Sequence, residues 1–392
     1  MTIDYRQLYP KIQQLADRIE QASTLRHQRC QEALQALARF ALAGEFLNNR
    51  IERALAQEGK NLRCAKPYEL NLNATFPLPT QRRKITLTAA DGSQILPDRH
   101  DALFFGLINV GGIVLPQSNT DPPCEISRSE FWYSEAGDFN EAQFNFRRDV
   151  LERRFLLEIS LSLGSPTLAL MDGPLELWME YRAADEERPE LMNLLHSYLE
   201  TLDTFREQAI LLGGYVDRPE SAYVVRLLEL AIATEHDLSN LRRFHPFKGV
   251  TDIDLFNLLL RPGERSAIFR LQSPLLEHLP QESELCFFYL CVGNETHPSI
   301  ARVEIPLWLA SDLRLVSDLH YNLVAQCRLS GAYAYPYLLH RAHEIAVVHA
   351  EDREAIIRSL QIELQRRGHR PQQLSNKQAL KNLNPRKKLR LE

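Results

Sequence analysis

Two aspartate–glycine pairs stand at the ends of apolar, strand-like segments. Asp91 and Gly92 follow "ITLTAA", and Asp172 and Gly173 follow "TLALM". A carboxylate at the C-terminal end of a central strand lies in the crevice where α/β sheets place their sites, and the glycine lets the backbone turn sharply. Asp-Gly also favours ordinary turns, so one pair alone would say little. Two pairs at matching strand ends indicate a shared metal site.

A metal site needs a third acid, and the helix predicted at about 139–163 offers Glu152 and Glu158. The following strand, 167–171, climbs roughly 16 Å at about 3.3 Å per residue. An antiparallel helix ending near Leu163 matches that height in about eleven residues, at a rise of about 1.5 Å each. Counting back reaches Glu152, which is favoured, whereas Glu158 falls near mid-strand and stays the alternative.

Three carboxylates in one crevice repel each other unless cations neutralise them. Hard oxygen ligands select Mg²⁺ or Mn²⁺ over zinc. Two such ions about 4 Å apart can activate a water and stabilise the leaving oxygen of a phosphodiester. The carboxylates therefore predict a two-metal phosphodiesterase site with Asp91, Glu152 and Asp172 as ligands.

The segment 331–354, "GAYAYPYLLHRAHEIAVVHAEDRE", is rich in tyrosine and histidine. Pro336 fits the first turn of a helix, on which His340 and His343 are i, i+3 neighbours rather than the i, i+4 pair that zinc prefers. A lone histidine on an apolar helix is more often structural. Near a divalent-metal site it could bind metal, touch phosphate or shuttle a proton. Tyr335 could stack on a base or donate to phosphate.

The elements that must position these residues follow from periodicity. Three strands, a helix and a further strand predict the opening of a ribonuclease H-like α/β fold, a mixed sheet flanked by helices. The predicted elements are helices over 5–60, strands at 84–92, 102–116 and 125–134, the helix 139–163, the strand 167–171, a helix at 190–210, a strand at 209–216, strands at 266–272, 284–293 and 299–310, and helices at 311–328 and 336–368.

The same patterns predict the domain organisation. An N-terminal helical region (1–60) and a linker or loop (61–83) precede a main domain at 84–368. That domain carries a helical insertion at about 236–262. The basic tail at 369–392 is polar, and we expect it to be mobile.

Composition narrows the class of protein. The chain is 44% hydrophobic and 25% charged, as in soluble globular proteins. Its apolar runs are too short for a membrane span, and the N-terminus carries no secretory signal. Six cysteines without a C-x-x-C pair indicate reduced thiols in a cytoplasmic protein. The net charge of −5 leaves nucleic-acid binding to local basic clusters such as "QRRK" at 81–84.

Four motifs occur in the order found in the NurA nucleases, and the chain resembles this family from about residue 84 to 360. The motifs are "ADGSQ" (90–94), "LMDGPL" (170–175), "RPGERSAIFRL" (261–271) and "YPYLLHRAHEIA" (335–346). The resemblance implies a ribonuclease H-like core, a homodimer and dependence on Mn²⁺ or Mg²⁺. It also implies 5′-to-3′ exonuclease and single-strand endonuclease activity on DNA, in end processing and repair with the hexameric ATPase HerA.

The resemblance also implies roles for five residues of this chain. Asp91 and Asp172 match the two metal aspartates of the family, and Glu152 looks like its helix glutamate. Tyr335 and His343 resemble the C-terminal tyrosine and histidine that complete the active centre.

Two departures from the family pattern affect these expectations. Pro174 stands where many relatives have a serine after Asp-Gly, a change that should leave the carboxylate in place. The basic segment often seen near the middle of the family reads "GGYVDRPES" at 213–221. Arg218 is therefore left out of the predicted site.

Two other functions stay open. The amphipathic N-terminal helices and the acidic net charge favour a catalytically weak adaptor that docks on an ATPase ring. The same carboxylate chemistry would also serve a nuclease acting on RNA or a hybrid duplex.

Overall fold

The computed structural model describes residues 5–58, 62–80, 83–97, 104–116, 121–134, 139–163, 166–177, 188–273, 284–331 and 333–368. The predicted basic tail at 369–392 lies outside the described residues. The chain divides into two compact units. The first unit is Met1–Ile85, Leu170–Glu176 and Phe205–Tyr337, and the second is Thr86–Ala169, Leu177–Thr204 and Leu338–Glu392.

The elements in the described parts of the chain are, in order, α1 (Tyr5–Arg39), α2 (Gly44–Glu58), β1 (Cys64–Pro67), β2 (Thr75–Phe76), β3 (Thr86–Ile95), β4 (Gly106–Leu115), β5 (Cys124–Trp132), α3 (Glu141–Leu161), β6 (Thr167–Asp172), α4 (Arg188–Glu207), β7 (Leu211–Asp217), α5 (Tyr223–Ile232), α6 (Glu235–Leu238), α7 (Asp252–Leu259), β8 (Arg265–Ser266), β9 (Phe269–Gln272), β10 (Leu285–Cys291), β11 (Ile300–Pro306), α8 (Leu307–Ala310), α9 (Leu313–Leu329), α10 (Tyr337–Ala346) and α11 (Ala350–Arg366). None of the helices described is long and apolar enough to cross a membrane.

The first unit is built on antiparallel strands in the order β1-β9-β10-β11-β7. Every residue of β10 and β11 is buried. β10 is a continuous apolar run, which is typical of a strand covered on both faces, whereas β11 also buries the ion pair of Arg302 and Glu304. Helix α5 packs on β1, α7 on β11 and α9 on β7. The helices predicted for 5–60 are confirmed as α1 and α2.

Several segments differ from the sequence predictions, among them the following three. The stretch expected to be a loop, 61–83, contains β1 and β2, whose short edge pairings leave no periodic pattern. The strand expected at 299–310 ends at Pro306, because proline has no N–H for the ladder, and α8 follows. The helix expected at 336–368 breaks into α10 and α11, where His349 and Asp352 form a capping box that starts the second helix.

The second unit contains the predicted ribonuclease H-like arrangement. Strands β3, β4 and β5 form an antiparallel meander, and α3 packs on β3 and β4. The Thr86 N–H donates to the Pro166 carbonyl oxygen at 3.1 Å, so β3 and β6 start side by side and run parallel there. Three antiparallel strands and one parallel strand form a mixed sheet, and a helix packs on it. This confirms the predicted α/β class.

Candidate active site on β3, α3 and α10

Asp91 lies within β3 and not at its end. The strand continues to Ile95, and Asp91 pairs across the ladder with Gly111 of β4. The expected turn at Asp91 and Gly92 was therefore wrong, because pairing with β4 continues past both residues. The preceding residues of β3 are buried, and from Asp91 onward the strand is only partly buried. The carboxylate thus sits where the strand leaves the core.

Gly92 makes room for the carboxyl group of Glu152. A β-carbon at position 92 would lie 2.8 Å from Cγ of Glu152, and closer still to its carboxylate oxygen. The glycine is needed for this close approach rather than for a turn. Glu152 is only 7% exposed and reaches β3 directly beside Asp91.

The electrostatic surroundings of Glu152 favour a positive neighbour. Burial is the main reason that the pKa of its carboxyl group rises to about 8, while the charges of Arg153 and Arg148 oppose the rise and those of Asp149 and Asp91 add to it. Nε of Arg148 lies 3.1 Å from the Glu152 carboxylate. Within the described residues this Nε has no hydrogen-bond partner, so its pairing with Glu152 is electrostatic. A cation at this carboxylate would favour its ionised form.

His343 reaches the same point from α10. Its Nδ1 lies 2.7 Å from Oδ2 of Asp91, with the His343 side chain 59% exposed and that of Asp91 15% exposed. The end of α10 is fixed by the Ala346 carbonyl, which accepts from Asn109 Nδ2 at 2.7 Å and from the hydroxyl of Ser93. These contacts place the imidazole over the Asp91 carboxylate.

The alternative acid, Glu158, has a different environment. Its carboxylate pairs with Arg128 of β5 at 2.6 Å, and both side chains are about half exposed. Of the two glutamates left open by the sequence, Glu152 is the one that lies beside Asp91.

Asp172 and Tyr335 belong to the first unit. Asp172 is the exposed last residue of β6, and Gly173 follows with a φ of 96°, so the predicted turn is present here. The Gly173 N–H donates to the Tyr215 carbonyl oxygen at 2.8 Å and holds the turn against β7. The ring of Tyr335 packs edge-on against that of Tyr215, with 5.6 Å between centroids.

The structure therefore brings three of the five predicted residues together, Asp91, Glu152 and His343. Glu152 and His343 each approach the Asp91–Gly92 position, but among the described residues no three His, Cys, Asp or Glu side chains are arranged so that they could hold a metal ion. The oxygen donors of Asp91 and Glu152 match what Mg²⁺ and Mn²⁺ bind. The common metal site of Asp91 and Asp172 stays a prediction.

Three further residues shape this site and were not predicted from the sequence. Arg148 precedes Glu152 by one helical turn, and this i, i+4 spacing was a readable signal. Ser93 stands inside the "ADGSQ" motif. Asn109 is a polar residue within the apolar run of β4, where a buried amide needs a partner.

Comparison with known proteins identifies the family. Residues 85–348 match the model of the NurA domain. This match covers more than half of the chain, so the chain belongs to the NurA family. NurA-domain proteins are metal-dependent nucleases, and the chain is accordingly a hydrolase. A search of curated proteins finds no match.

Solved structures to which the chain is similar include two of NurA and one of Endonuclease V. NurA bound to dAMP and manganese is 11% identical, with a TM-score of 0.38 over 72% of this chain and 90% of that chain. NurA with manganese is 12% identical, with a TM-score of 0.40 over 73% and 90%. The catalytic domain of human Endonuclease V is 13% identical, with a TM-score of 0.30 over 81% and 98%. The family match, and not these low scores, places the chain among the NurA proteins.

Proposed function

We propose that the chain hydrolyses DNA phosphodiester bonds with Asp91, Glu152 and Asp172 as carboxylate ligands of Mn²⁺ or Mg²⁺. Tyr335 and His343 complete the active centre. The observation that carries the proposal is the buried Glu152 carboxylate, packed on Gly92 beside Asp91 and His343. A buried carboxylate with a strongly raised pKa beside a second acid and a histidine is typical of functional sites.

Each side chain has a role that follows from its surroundings. Bound divalent ions would activate a water and stabilise the leaving oxygen. The Glu152 carboxylate is held away from water and oriented by Arg148. His343 is more than half exposed, so a phosphate or a water can reach its imidazole for proton transfer. The Tyr335 ring packs edge-on against that of Tyr215, and the proposed role of its hydroxyl is to donate a hydrogen bond to a phosphate oxygen.

More specifically, the proposed activities are 5′-to-3′ exonuclease and single-strand endonuclease cleavage of DNA. The proposed process is DNA end processing and repair, and the proposed partner is a HerA-type ATPase. Family membership supports this assignment. The cytoplasm is supported as the site of action by the six cysteines, all free and five of them buried.

The test compares isosteric variants on labelled oligonucleotides. Asp91→Asn, Glu152→Gln and Asp172→Asn each abolish Mn²⁺-dependent cleavage of single-stranded DNA, while circular dichroism shows the fold intact. Glu158→Gln is the matched control on the same helix and cleaves normally. Matched RNA and hybrid substrates separate the DNA assignment from its alternative, and 5′- and 3′-labels give the polarity. Wild-type cleavage rates in Asp91→Asn or Asp172→Asn would overturn the proposal.

The chain also assembles as a homodimer, an assignment supported by α1. Tyr5, Ile12 and Ile19 repeat at seven-residue spacing and are all exposed, and Leu8 and Leu15 follow three residues after the first two. This is the a and d pattern of a coiled coil. A second α1 helix would cover this apolar stripe.

Light scattering tests the dimer directly. The double variant Ile12→Asp with Ile19→Asp is expected to run as a monomer. The control pair Gln14→Asp with Gln21→Asp adds the same charge at the same spacing, outside the stripe, and stays dimeric. A dimer that survives the first pair would rule out assembly through α1.

A further inference from the structure

A cavity of about 540 Å³ opens in the second unit where β5 ends and α3 begins. Its lining includes Phe131, Trp132, Tyr133, Phe139, Phe144 and Arg147. Its volume is that of a small-molecule site. We propose that this cavity binds a base of the single-stranded DNA substrate by stacking. The inference rests on the proposed nuclease function and adds a base-binding subsite to it.

Trp132 packs against two other aromatic rings of the cavity, and two exposed aromatic rings lie beside it. Trp132 makes edge contacts with Phe139 and Phe144, at centroid distances of 5.5 and 6.0 Å, and these contacts fix its orientation. Phe131 and Tyr133 flank it along the chain and are 60% and 70% exposed. Rings exposed to this extent around a cavity leave flat apolar surface that a base can cover, and every base offers a π-face for stacking.

Polar groups complete the cavity on the α3 side. Arg147 and Glu190 form an ion pair at 3.6 Å, and Gln143 Nε2 donates to Glu190 at 2.7 Å. The guanidinium of Arg147 suits a backbone phosphate or the face of a base. The amide and the carboxylate can pair with the donor and acceptor groups on a base edge. An apolar helix could use none of these hydrogen-bonding groups, so a base fits the cavity better than an apolar peptide.

The position of the cavity relates it to the candidate active site on the same helix. Arg147 and Gln143 precede Glu152 by five and nine residues, which is about 8 and 14 Å along the axis of α3 and about 140° and 180° around it, so the strand passes around the helix between the two sites. A single strand spans that distance in a few nucleotides. The stacked base therefore belongs to a nucleotide a few positions from the phosphate bound near Glu152.

The experiment measures binding separately from cleavage. Fluorescence anisotropy in EDTA compares an oligothymidylate with a series carrying one abasic site moved along the strand. For the wild type, one abasic position weakens binding by about 5- to 150-fold, the range expected for loss of one stacked base. Tyr133→Leu keeps apolar bulk and loses the ring, so it binds intact DNA more weakly by a similar factor and no longer distinguishes that position. Tyr133→Phe keeps the ring and behaves as wild type, as does Leu161→Ala, an exposed apolar control at the far end of α3.

Two results would overturn the inference. One is equal wild-type affinity for every abasic oligonucleotide, and the other is a Tyr133→Leu variant that binds as the wild type does. Cleavage in Mn²⁺ is assayed on the same proteins. Cleavage without a base-dependent position defeats the subsite and leaves the nuclease assignment standing. Base-dependent binding without any cleavage defeats the nuclease assignment and leaves the subsite.

Discussion

The carboxyl group of Glu152 fills the space that a side chain at Gly92 would need. The distance from a β-carbon at position 92 to Cγ of Glu152 would be 2.8 Å. A strand glycine and a helix glutamate are thus matched in size. Because Asp91 precedes the glycine, this match also sets how closely the two carboxylates approach.

Gly92→Ala is expected to displace Glu152 and to lower Mn²⁺-dependent cleavage at least tenfold. The crowding should also destabilise the fold by about 1–3 kcal/mol, as insertion of a methyl group into a packed site does. Thermal unfolding and single-turnover cleavage measure the two effects. Gly44→Ala is the control, because its β-carbon would meet Pro67 at an ordinary 3.7 Å. Full activity in Gly92→Ala would show that the position of Glu152 is irrelevant to cleavage.

His343→Gln should reduce cleavage by roughly 10²- to 10⁴-fold, the range for loss of a proton-transfer group. Its unfolding temperature should hardly change, since the contact that the 59% exposed His343 side chain makes with Asp91 contributes about 0–1 kcal/mol. His340→Gln provides a matched control one turn earlier on α10, where His340 lies 3.7 Å from Glu344. Equal losses in the two variants would remove any special role for His343.

The raised pKa of Glu152 predicts a pH-dependent stability. The ordinary value is 4.5 and the folded value about 8, so the folded protein holds a proton that the unfolded chain has released. Without metal, the wild type should lose stability as pH rises from about 5 to 8. Glu152→Gln does not titrate and should lose less. At pH 8, Mn²⁺ should raise the unfolding temperature of the wild type and leave that of the variant nearly unchanged. Parallel pH curves for the two proteins would contradict this account.

His320 predicts the opposite trend at acid pH. It is buried in the first unit, with Nε2 at 2.8 Å from the Gly263 carbonyl oxygen, and burial lowers its pKa from 6.5 to about 4. In the unfolded chain His320 binds a proton below about pH 6.5. In the folded protein it does not bind this proton until about pH 4. Stability is therefore complete above pH 6.5 and falls on acidification. His320→Gln, which keeps an N–H donor, should flatten the urea-unfolding profile between pH 7 and 4.5. An unchanged acid slope would assign the loss to other groups.

Periodic patterns in the sequence predicted most of the helices and strands, because the formation of each helix or strand depends mainly on its own residues. The helix expected at 139–163 is α3, and the strand expected at 167–171 is β6. Matching the rise of the helix to the height of the strand favours Glu152, and Glu152 lies beside Gly92, while the alternative Glu158 pairs with Arg128. Its role as a metal ligand stays a prediction.

The failures came from partners that are distant in the sequence. Asp91 and Gly92 read locally as a turn, but pairing with Gly111 and Val110 of β4 keeps them in a strand. The purpose of Gly92 was hidden as well, because the side chain that needs the space lies sixty residues away. Asp172 and Gly173 have the same local signal and do form the turn. Identical dipeptides thus take different conformations according to the strands beside them.

Hydrogen bonds from Ser93 and Asn109 hold the Ala346 carbonyl in place. They therefore determine where the chain can accept insertions or deletions without moving His343. An insertion after Ala346, in the connection to α11, leaves the imidazole of His343 in place because the anchor precedes it. One residue added between His343 and Ala346 rotates that imidazole by about 100° around the helix axis, away from Asp91. Homologous chains should therefore tolerate gaps on the C-terminal side of this carbonyl and exclude them from the three residues before it.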